Sequence, residues 1–315
     1  MDIHVVQPGD TMYRLAQQYG VPMDRLIQDN QLPDPSHLVV GQTIVVQYPE
    51  LTQTVKAGDS LYSIAQSHNT TAVQLLRNNP SLHGRDLIYP GQVIVVRYDG
   101  QPQGTLTVNS YAYPFIDRGL LRDTLPYLSL LTPFSYRFYG GTLIALQAGT
   151  LVNAALQSRV APVFHLSNLD EKEQFSSELA RELLASEEDQ KELIEQIKLA
   201  ADQKGYQWVD VDFEFVRAED AAAYAQFLAR LRQALAPSGR PLVAALAPKA
   251  SANQPGRLYE GIDYRLIAQS VDFALLMTYD WGYPGGPPMA VSPLPEVRQV
   301  VEYALTEFYP NQLFL

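Results

Sequence analysis

The chain has 315 residues, 46% of them hydrophobic and 18% charged, which is the composition of a folded protein of roughly two domains. A net charge of −11 argues against nucleic acid or an anionic membrane surface as a partner. The absence of cysteine excludes disulfides, thiolate metal sites and cysteine nucleophiles. No stretch approaches ~18 apolar residues, so no membrane insertion is expected. The N-terminus has no basic region followed by an apolar run, so no secretory signal peptide is predicted.

An internal repeat occupies the first part of the chain. The run Val6–Tyr13 recurs as Val55–Tyr62, and Gly41–Val46 recurs as Gly91–Val96. Repeats of this kind indicate copies of one structural unit. The first copy predicts the order strand, helix, helix, strand. The first strand is Ile3–Gln7, and the first helix follows a cap at Asp10 or Thr11. The second helix runs from Pro22 to Asn30, and the closing strand is Thr43–Val46.

This pattern resembles the LysM module, whose family binds polymers that contain N-acetylglucosamine, such as peptidoglycan and chitin. The resemblance implies two modules at 1–48 and 52–98, followed by a polar linker at 99–104. It also implies glycan contacts in the first strand–helix loop and the loop before the last strand. These positions are Gly9, Asp10, Thr11, Asn30 and Leu32 in the first copy, and Gly58, Asp59, Ser60 and Asn79 in the second. The alternative for Asp10 and Asp59 is helix capping alone.

From residue 105 to residue 315 the pattern changes to strands alternating with helices, which predicts a parallel sheet covered by helices. The number of units favours an α/β fold of the (β/α)8 TIM-barrel type. Because a seventh strand is the last one visible, the barrel is expected to lack its final strands. The predicted strands are Leu106–Tyr111, Tyr127–Phe134, Ala161–Leu166, Trp208–Val216, Leu242–Ala247, Phe273–Thr278 and Gln312–Leu315.

Three acidic residues alternate along one predicted strand. Asp210, Asp212 and Glu214 share one face because side chains of a strand alternate between its two faces. An exposed edge strand would simply leave them in solvent, but a strand in the middle of a parallel sheet is covered on both sides. The carboxyl groups are therefore expected to point into the barrel, with Glu214 nearest the end at which barrel active sites lie.

Such a cluster predicts acid–base chemistry. Asp210 and Asp212 are expected to share a proton, because two close carboxylates do not both ionise cheaply. Glu214, shielded and beside another carboxylate, is expected to have a raised pKa and to serve as a general acid.

The run resembles the signature Asp-x-x-Asp-x-Asp-x-Glu of glycoside hydrolase family 18, with Gln207 in place of the first aspartate. Met277-Thr278-Tyr279-Asp280 resembles a second family motif. The resemblance implies substrate-assisted, retaining hydrolysis without a cofactor or metal. It implies that Glu214, Asp212, Asp210 and Tyr279 are catalytic. Substrate contacts are expected from Asp280 and Trp281. Asn168 and Lys249, after the third and fifth strands, are further candidates for substrate contact, and the alternative for each is a structural role.

The combination of two LysM modules with this barrel resembles the spore-germination cortex-lytic N-acetylglucosaminidases of endospore-forming bacteria. It implies action on cortex peptidoglycan or another N-acetylglucosamine polymer, and association with the spore or the cell wall. The alternatives are a non-catalytic glycan-binding protein and a chitinase. The five histidines show no metal-binding spacing, and His165 is interpreted as a core residue. The oligomeric state is left open.

Overall fold

The computed structural model describes residues 1–100, 104–283 and 285–315, which form two compact units. The first unit contains Met1–Val108 and Phe115–Ser129, and the second contains Asn109–Pro114 and Leu130–Leu315. The predicted linker at 99–104 lies partly outside the described residues.

The first unit contains two modules with the predicted order strand, helix, helix, strand. In each module the two strands pair antiparallel, and the helices cover a small apolar core. The closing strand of module 1 has the predicted bounds, whereas its first strand starts one residue earlier, at Asp2. The elements of module 1 are β1 Asp2–Val5, α1 Met12–Tyr19, α2 Met23–Asn30 and β2 Thr43–Val46; those of module 2 are β3 Pro49–Thr54, α3 Leu61–Ser67, α4 Ala72–Asn78 and β4 Val93–Tyr98.

The remaining elements alternate between strand and helix, as expected for a (β/α)-type fold. The strands are β5 Asn109–Ala112, β6 Leu130–Pro133, β7 Arg137–Tyr139, β8 Thr142–Ile144, β9 Ala161–Ser167, β10 Trp208–Asp212, β11 Leu242–Leu246, β12 Phe273–Leu276 and β13 Leu313–Phe314. The helices are α5 Arg118–Thr124, α6 Gly149–Gln157, α7 Ser177–Ala185, α8 Glu187–Lys204, α9 Ala221–Leu235, α10 Tyr264–Ala268 and α11 Leu294–Ala304.

Seven strands of the second unit form one parallel sheet in the order β5-β6-β9-β10-β11-β12-β13. Its main core lies between one face of the sheet and the helices, and includes Phe164, Val209, Val211 and Leu246. The described residues thus supply seven of the eight strands of a (β/α)8 barrel, which confirms the predicted fold class. The small antiparallel hairpin of β7 and β8 was not predicted.

The helix boundaries follow local chemistry. The long helix α8 begins after Ser186, whose side chain accepts a hydrogen bond from the Asp189 backbone, and three acidic residues occupy its first turn. It ends at Lys204 and Gly205, and the glycine takes a left-handed φ of 79°. In the described part of the chain, no helix combines the length and apolar character needed to cross a membrane.

Candidate active site

Strand β10 carries two aspartates side by side on its inner face. Asp210 and Asp212 are 2% and 5% exposed, whereas Val209 and Val211 point to the opposite, helix-covered face. The predicted strand extended to Val216, but the observed one ends at Asp212. Phe215 takes a left-handed φ of 56°, which costs a non-glycine residue roughly 1–3 kcal/mol. Glu214 therefore lies on the turn just beyond the strand and is partly buried.

Two residues of other strands in the sheet, β5 and β9, face the aspartate pair. The Tyr111 hydroxyl of β5 donates a hydrogen bond of 2.7 Å to Asp210 Oδ2. Nε2 of His165, in β9, lies 3.7 Å from Asp210 Oδ2 and 3.6 Å from Asp212 Oδ2. The sequence-based site did not include either residue. Their placement depends on strand register, which puts His165 directly opposite Asp210.

Burial changes the acidity of both ends of the carboxyl row. It raises the pKa of Asp210 to about 6, although the nearby His165 and the Tyr111 hydrogen bond oppose that rise. Burial and then the negative charge of Asp212 raise the pKa of Glu214 to about 7. A carboxyl group with such a pKa keeps its proton near neutral pH, as a general acid requires.

Asn168 holds the backbone on which Glu214 is mounted. It is fully buried, its Oδ1 accepts a hydrogen bond of 3.0 Å from the Glu214 backbone, and its Nδ2 donates to the Glu214 carbonyl at 2.9 Å. Nδ2 also donates to the Ser176 carbonyl. The Asn168 amide is therefore occupied by the protein's own backbone, which fits the structural alternative, and sugar contact by Asn168 stays a prediction.

Lys249 likewise bonds to the protein's own backbone. It is 3% exposed, and its Nζ donates to the carbonyls of Tyr259 and Ile262 at 3.2 and 2.8 Å. These bonds hold the loop that follows β11, which fits the structural alternative, and sugar contact by Lys249 stays a prediction. Trp281, also expected at the substrate, packs against the main core, and its indole Nε1 has no hydrogen-bond partner among the described residues.

Tyr279 and Asp280 follow β12 at the same end of the sheet. Tyr279 is 38% exposed, and burial and the nearby carboxylates raise its pKa above the usual value, so the hydroxyl remains a donor. Asp280 is exposed and has a left-handed φ of 56°. Both residues border a cavity of about 340 Å³, lined by Tyr111, Ala112, Tyr113, Phe134, Asp212, Met277, Tyr279 and Asp280. Its aromatic lining and the carboxylate at its wall suit a sugar.

Gln207, at the position of the missing signature aspartate, is exposed and precedes β10. It lies at the opposite end of the strand from Glu214. Among residues 1–100, 104–283 and 285–315, no cluster of three or more histidine, aspartate or glutamate side chains is arranged to hold a metal ion.

The strand–helix loops of the two modules share one construction. Gly9 and Gly58 have φ values of 90° and 89°, where a side chain is strained. The caps are Thr11 and Ser60, whose hydroxyls accept backbone hydrogen bonds at the starts of α1 and α3. The aspartates that precede these caps, Asp10 and Asp59, instead accept from the backbone nitrogens of Gln7 and Lys56.

The loops before the last strands are held by asparagines. Asn30 donates to the carbonyls of Leu26 and Val45 and accepts from the Val45 nitrogen, and Asn79 makes the same set of bonds to Leu75 and Val95. Both amides therefore tie the second helix to the closing strand. Leu32 packs against the core of module 1. Glycan contact at these loops stays a prediction.

Comparisons with known proteins agree with this architecture. Residues 4–47 and 54–97 match the LysM domain, and residues 168–310 match glycosyl hydrolases family 18. The cortical fragment-lytic enzyme of Bacillus subtilis (strain 168) is 38% identical over 322 residues, which cover 100% of this chain and 74% of that protein. The crystal structure of the Bacillus cereus spore cortex-lytic enzyme SleL matches with a TM-score of 0.76 and 35% identity, over 99% of this chain and 73% of that one. A chitinase from Chromobacterium violaceum shares the fold, with a TM-score of 0.60 and 18% identity over 66% of this chain and 67% of that one.

Proposed function

Because the chain belongs to glycosyl hydrolase family 18 and carries two LysM domains, we propose that it cleaves the β-1,4 bond after N-acetylglucosamine in spore cortex peptidoglycan. The main observation behind the proposal is the row of carboxyl groups formed by Asp210, Asp212 and Glu214. It sets a partly buried acid with a raised pKa beside a carboxylate that lines a cavity. The names of the cortex-lytic relatives support cortex as the polymer.

The chemistry needs no nucleophile from the protein. Glu214 donates its proton to the glycosidic oxygen while the bond from that oxygen to the anomeric carbon breaks. The carbonyl oxygen of the substrate's own 2-acetamido group bonds to the anomeric carbon and forms an oxazolinium ion. Water then attacks that carbon and opens the ring, and the Glu214 carboxylate takes the proton from the water. Two displacements at one carbon retain its configuration.

The other polar residues support this ion. Asp212, at the cavity wall, accepts the acetamido N–H and balances the positive charge of the oxazolinium ion. Asp210, buried behind it and held by Tyr111, orients Asp212 and sets the charge of the pair. The Tyr279 hydroxyl donates to the acetamido oxygen, and Asp280 contacts the sugar from the exposed rim.

The LysM modules supply attachment to the polymer. A second weak site on one chain gains from effective concentration once the first site is occupied, so tandem modules hold an enzyme on an insoluble glycan. The modules therefore place the protein at the spore or the cell wall, and the loops at Gly9–Thr11 and Gly58–Ser60 are the proposed contacts.

The proposal is tested by incubating the purified chain with spore cortex fragments and following new reducing ends, with Glu214→Gln as the variant. Loss of the general acid is expected to lower kcat by ~10²–10⁴-fold, because the amide cannot donate the proton. Glu219→Gln is the matched control, since Glu219 is exposed and pairs with Arg181. We expect it to retain activity.

Three results would change this account. No reducing ends from the wild type, with binding to cortex intact, would make the chain a glycan-binding protein. Full activity of Glu214→Gln would refute the assigned acid. Faster cleavage of chitin oligomers than of cortex fragments in parallel reactions would identify a chitinase.

A further inference from the structure

His165 is buried inside the carboxylate cluster. It is 0% exposed, lies in β9, and is paired in register with Asp210 of β10. Its Nδ1 lies 2.8 Å from the Ser135 hydroxyl, and its ring packs edge-on against Tyr111 and at a tilt against Phe134. These contacts fix the ring and direct Nε2 toward the two aspartates.

The cluster contains three buried polar atoms without a hydrogen-bond partner among the described residues. They are His165 Nε2, Asp210 Oδ1 and Asp212 Oδ1. A buried polar atom without a partner costs free energy, and a buried unpaired charge costs more. An unprotonated Nε2 would turn its lone pair toward two carboxyl groups. The Ser135 hydroxyl donates to the Tyr136 carbonyl and therefore accepts from Nδ1–H. With Nδ1 protonated, a second proton on Nε2 removes that repulsion and makes the ring an imidazolium, which places positive charge beside the aspartate pair.

We propose that His165 is a positioning residue for the catalytic pair, whose protonated Nε2 faces both Asp210 and Asp212 and balances their charge while Asp212 accepts the acetamido N–H. The proposal rests on the proposed function, because it assigns a role within that reaction. Among the described residues, His165 is the ion-pair partner of both aspartates.

The charge that faces His165 depends on the other groups around the carboxylate cluster. The loop after β6 contributes Phe134 and Ser135, which carry no charge. The titratable groups that interact with the cluster are Tyr111 of β5, Asp210 and Asp212 of β10, Glu214 after β10, Tyr224 of α9 and Tyr279 after β12. Each of these is an acid that is neutral or negative, so His165 supplies the balancing positive charge.

The charge of His165 is expected to change the pKa of Asp210. The charge of His165 lowers the pKa of Asp210, against the larger rise caused by burial. Removing the imidazole leaves burial and Asp212 to raise that pKa further. Asp210 then holds its proton to higher pH, so the pair carries less negative charge at a given pH to balance the oxazolinium ion.

The test is the pH dependence of kcat/KM for wild type and His165→Gln on soluble cortex fragments. For the wild type, the acid limb follows ionisation of Asp210, whose pKa is about 6, and the alkaline limb lies near pH 7, where Glu214 loses its proton. In His165→Gln we expect the acid limb to move up by about one pH unit, the effect of removing a neighbouring opposite charge. The alkaline limb should stay, because burial and Asp212 set it. His37→Gln, an exposed histidine paired with Asp34, is the control and should shift neither limb.

A loss of rate that is equal at every pH would overturn the proposal, since packing alone predicts it. Nitrogen NMR of the imidazoles gives a second measurement on the wild type, with signals assigned by substituting the other four of the five histidines. We expect His165 to carry protons on both nitrogens, as a cation that faces the two aspartates requires. A neutral His165 throughout would refute the proposal even if the chain proved to lack hydrolase activity. An inactive wild type with a protonated His165 would instead refute the proposed function.

Discussion

Asn168 holds the backbone of Glu214, the proposed general acid. Its amide bonds both backbone groups of Glu214 across the gap between the ends of β9 and β10. The turn that carries Glu214 includes a left-handed Phe215, a conformation that persists only where neighbouring contacts enforce it. The Asn168 amide is therefore part of what holds the backbone of Glu214 in place.

Asn168→Ala is expected to lower both stability and kcat. It leaves the nitrogen and carbonyl of Glu214 without their partner, at a cost of about 1–3 kcal/mol per buried group. Calorimetric melting and steady-state rates on soluble fragments measure the two effects. Asn78→Ala removes a buried amide that donates to the Val96 carbonyl in module 2, and it should lower Tm without lowering kcat. An unchanged kcat in Asn168→Ala would show that the Asn168 amide does not position the acid.

The carboxyl row could be found in the sequence because alternation along one strand is local information. Tyr111 and His165 could not be found in this way. Their approach to Asp210 depends on how the strands are arranged in the sheet and in what register they pair. For Asn168 and Lys249, the sequence predicted the correct end of the barrel but not the backbone groups to which their side chains bond. A short run of residues does not reveal which backbone groups a neighbouring loop leaves without hydrogen bonds.

At the scale of elements, module 2 packs against the segment that connects β5 to β6. The Arg122 side chain donates to the His83 carbonyl, and His83 Nδ1 lies 3.0 Å from Asp123 Oδ2. Gly84, with a φ of 62°, approaches so closely that a Cβ built on it would lie 2.3 Å from the Arg122 carbonyl oxygen. Helix α5 on this segment could not be predicted from the sequence, because its seven residues show little periodicity.

Gly84→Ala is expected to destabilise the first unit more than Gly20→Ala. Both glycines are left-handed, with φ values of 62° and 66°, so each substitution carries a backbone cost of roughly 1–2 kcal/mol. A Cβ at Gly20 would meet no atom within 4 Å, whereas at Gly84 it overlaps backbone. Differential scanning calorimetry of the full chain should show a lower Tm for Gly84→Ala. Equal Tm values for the two variants would contradict the close contact.

The two modules are also joined to each other. Arg25 of α2 pairs with Asp29 at 2.6 Å, donates to the Asn78 carbonyl of module 2 at 2.7 Å, and contacts the Tyr98 hydroxyl. Arg25 and Asp29 are largely buried. These contacts therefore join the two modules, which are not structurally independent. The repeat predicted both modules but not these contacts, since Arg25 has no counterpart in the pattern that the copies share.

For the whole molecule, the central claim is that a chain built to hold N-acetylglucosamine polymers also cuts them after N-acetylglucosamine. Substrate-assisted chemistry requires the 2-acetamido group on the sugar whose anomeric carbon reacts. The identity of the new reducing end therefore reports both the bond and the mechanism. The second unit supplies the acid and the cavity, and the two LysM modules supply attachment to the same class of polymer.

The most direct test is to digest cortex fragments, reduce the new ends with borohydride, and identify the terminal sugar alcohol by mass spectrometry. The account predicts N-acetylglucosaminitol at the new ends, released by the wild type and not by Glu214→Gln. Muramitol at those ends would show cleavage of the other glycosidic bond of the strand, and would contradict the proposed specificity.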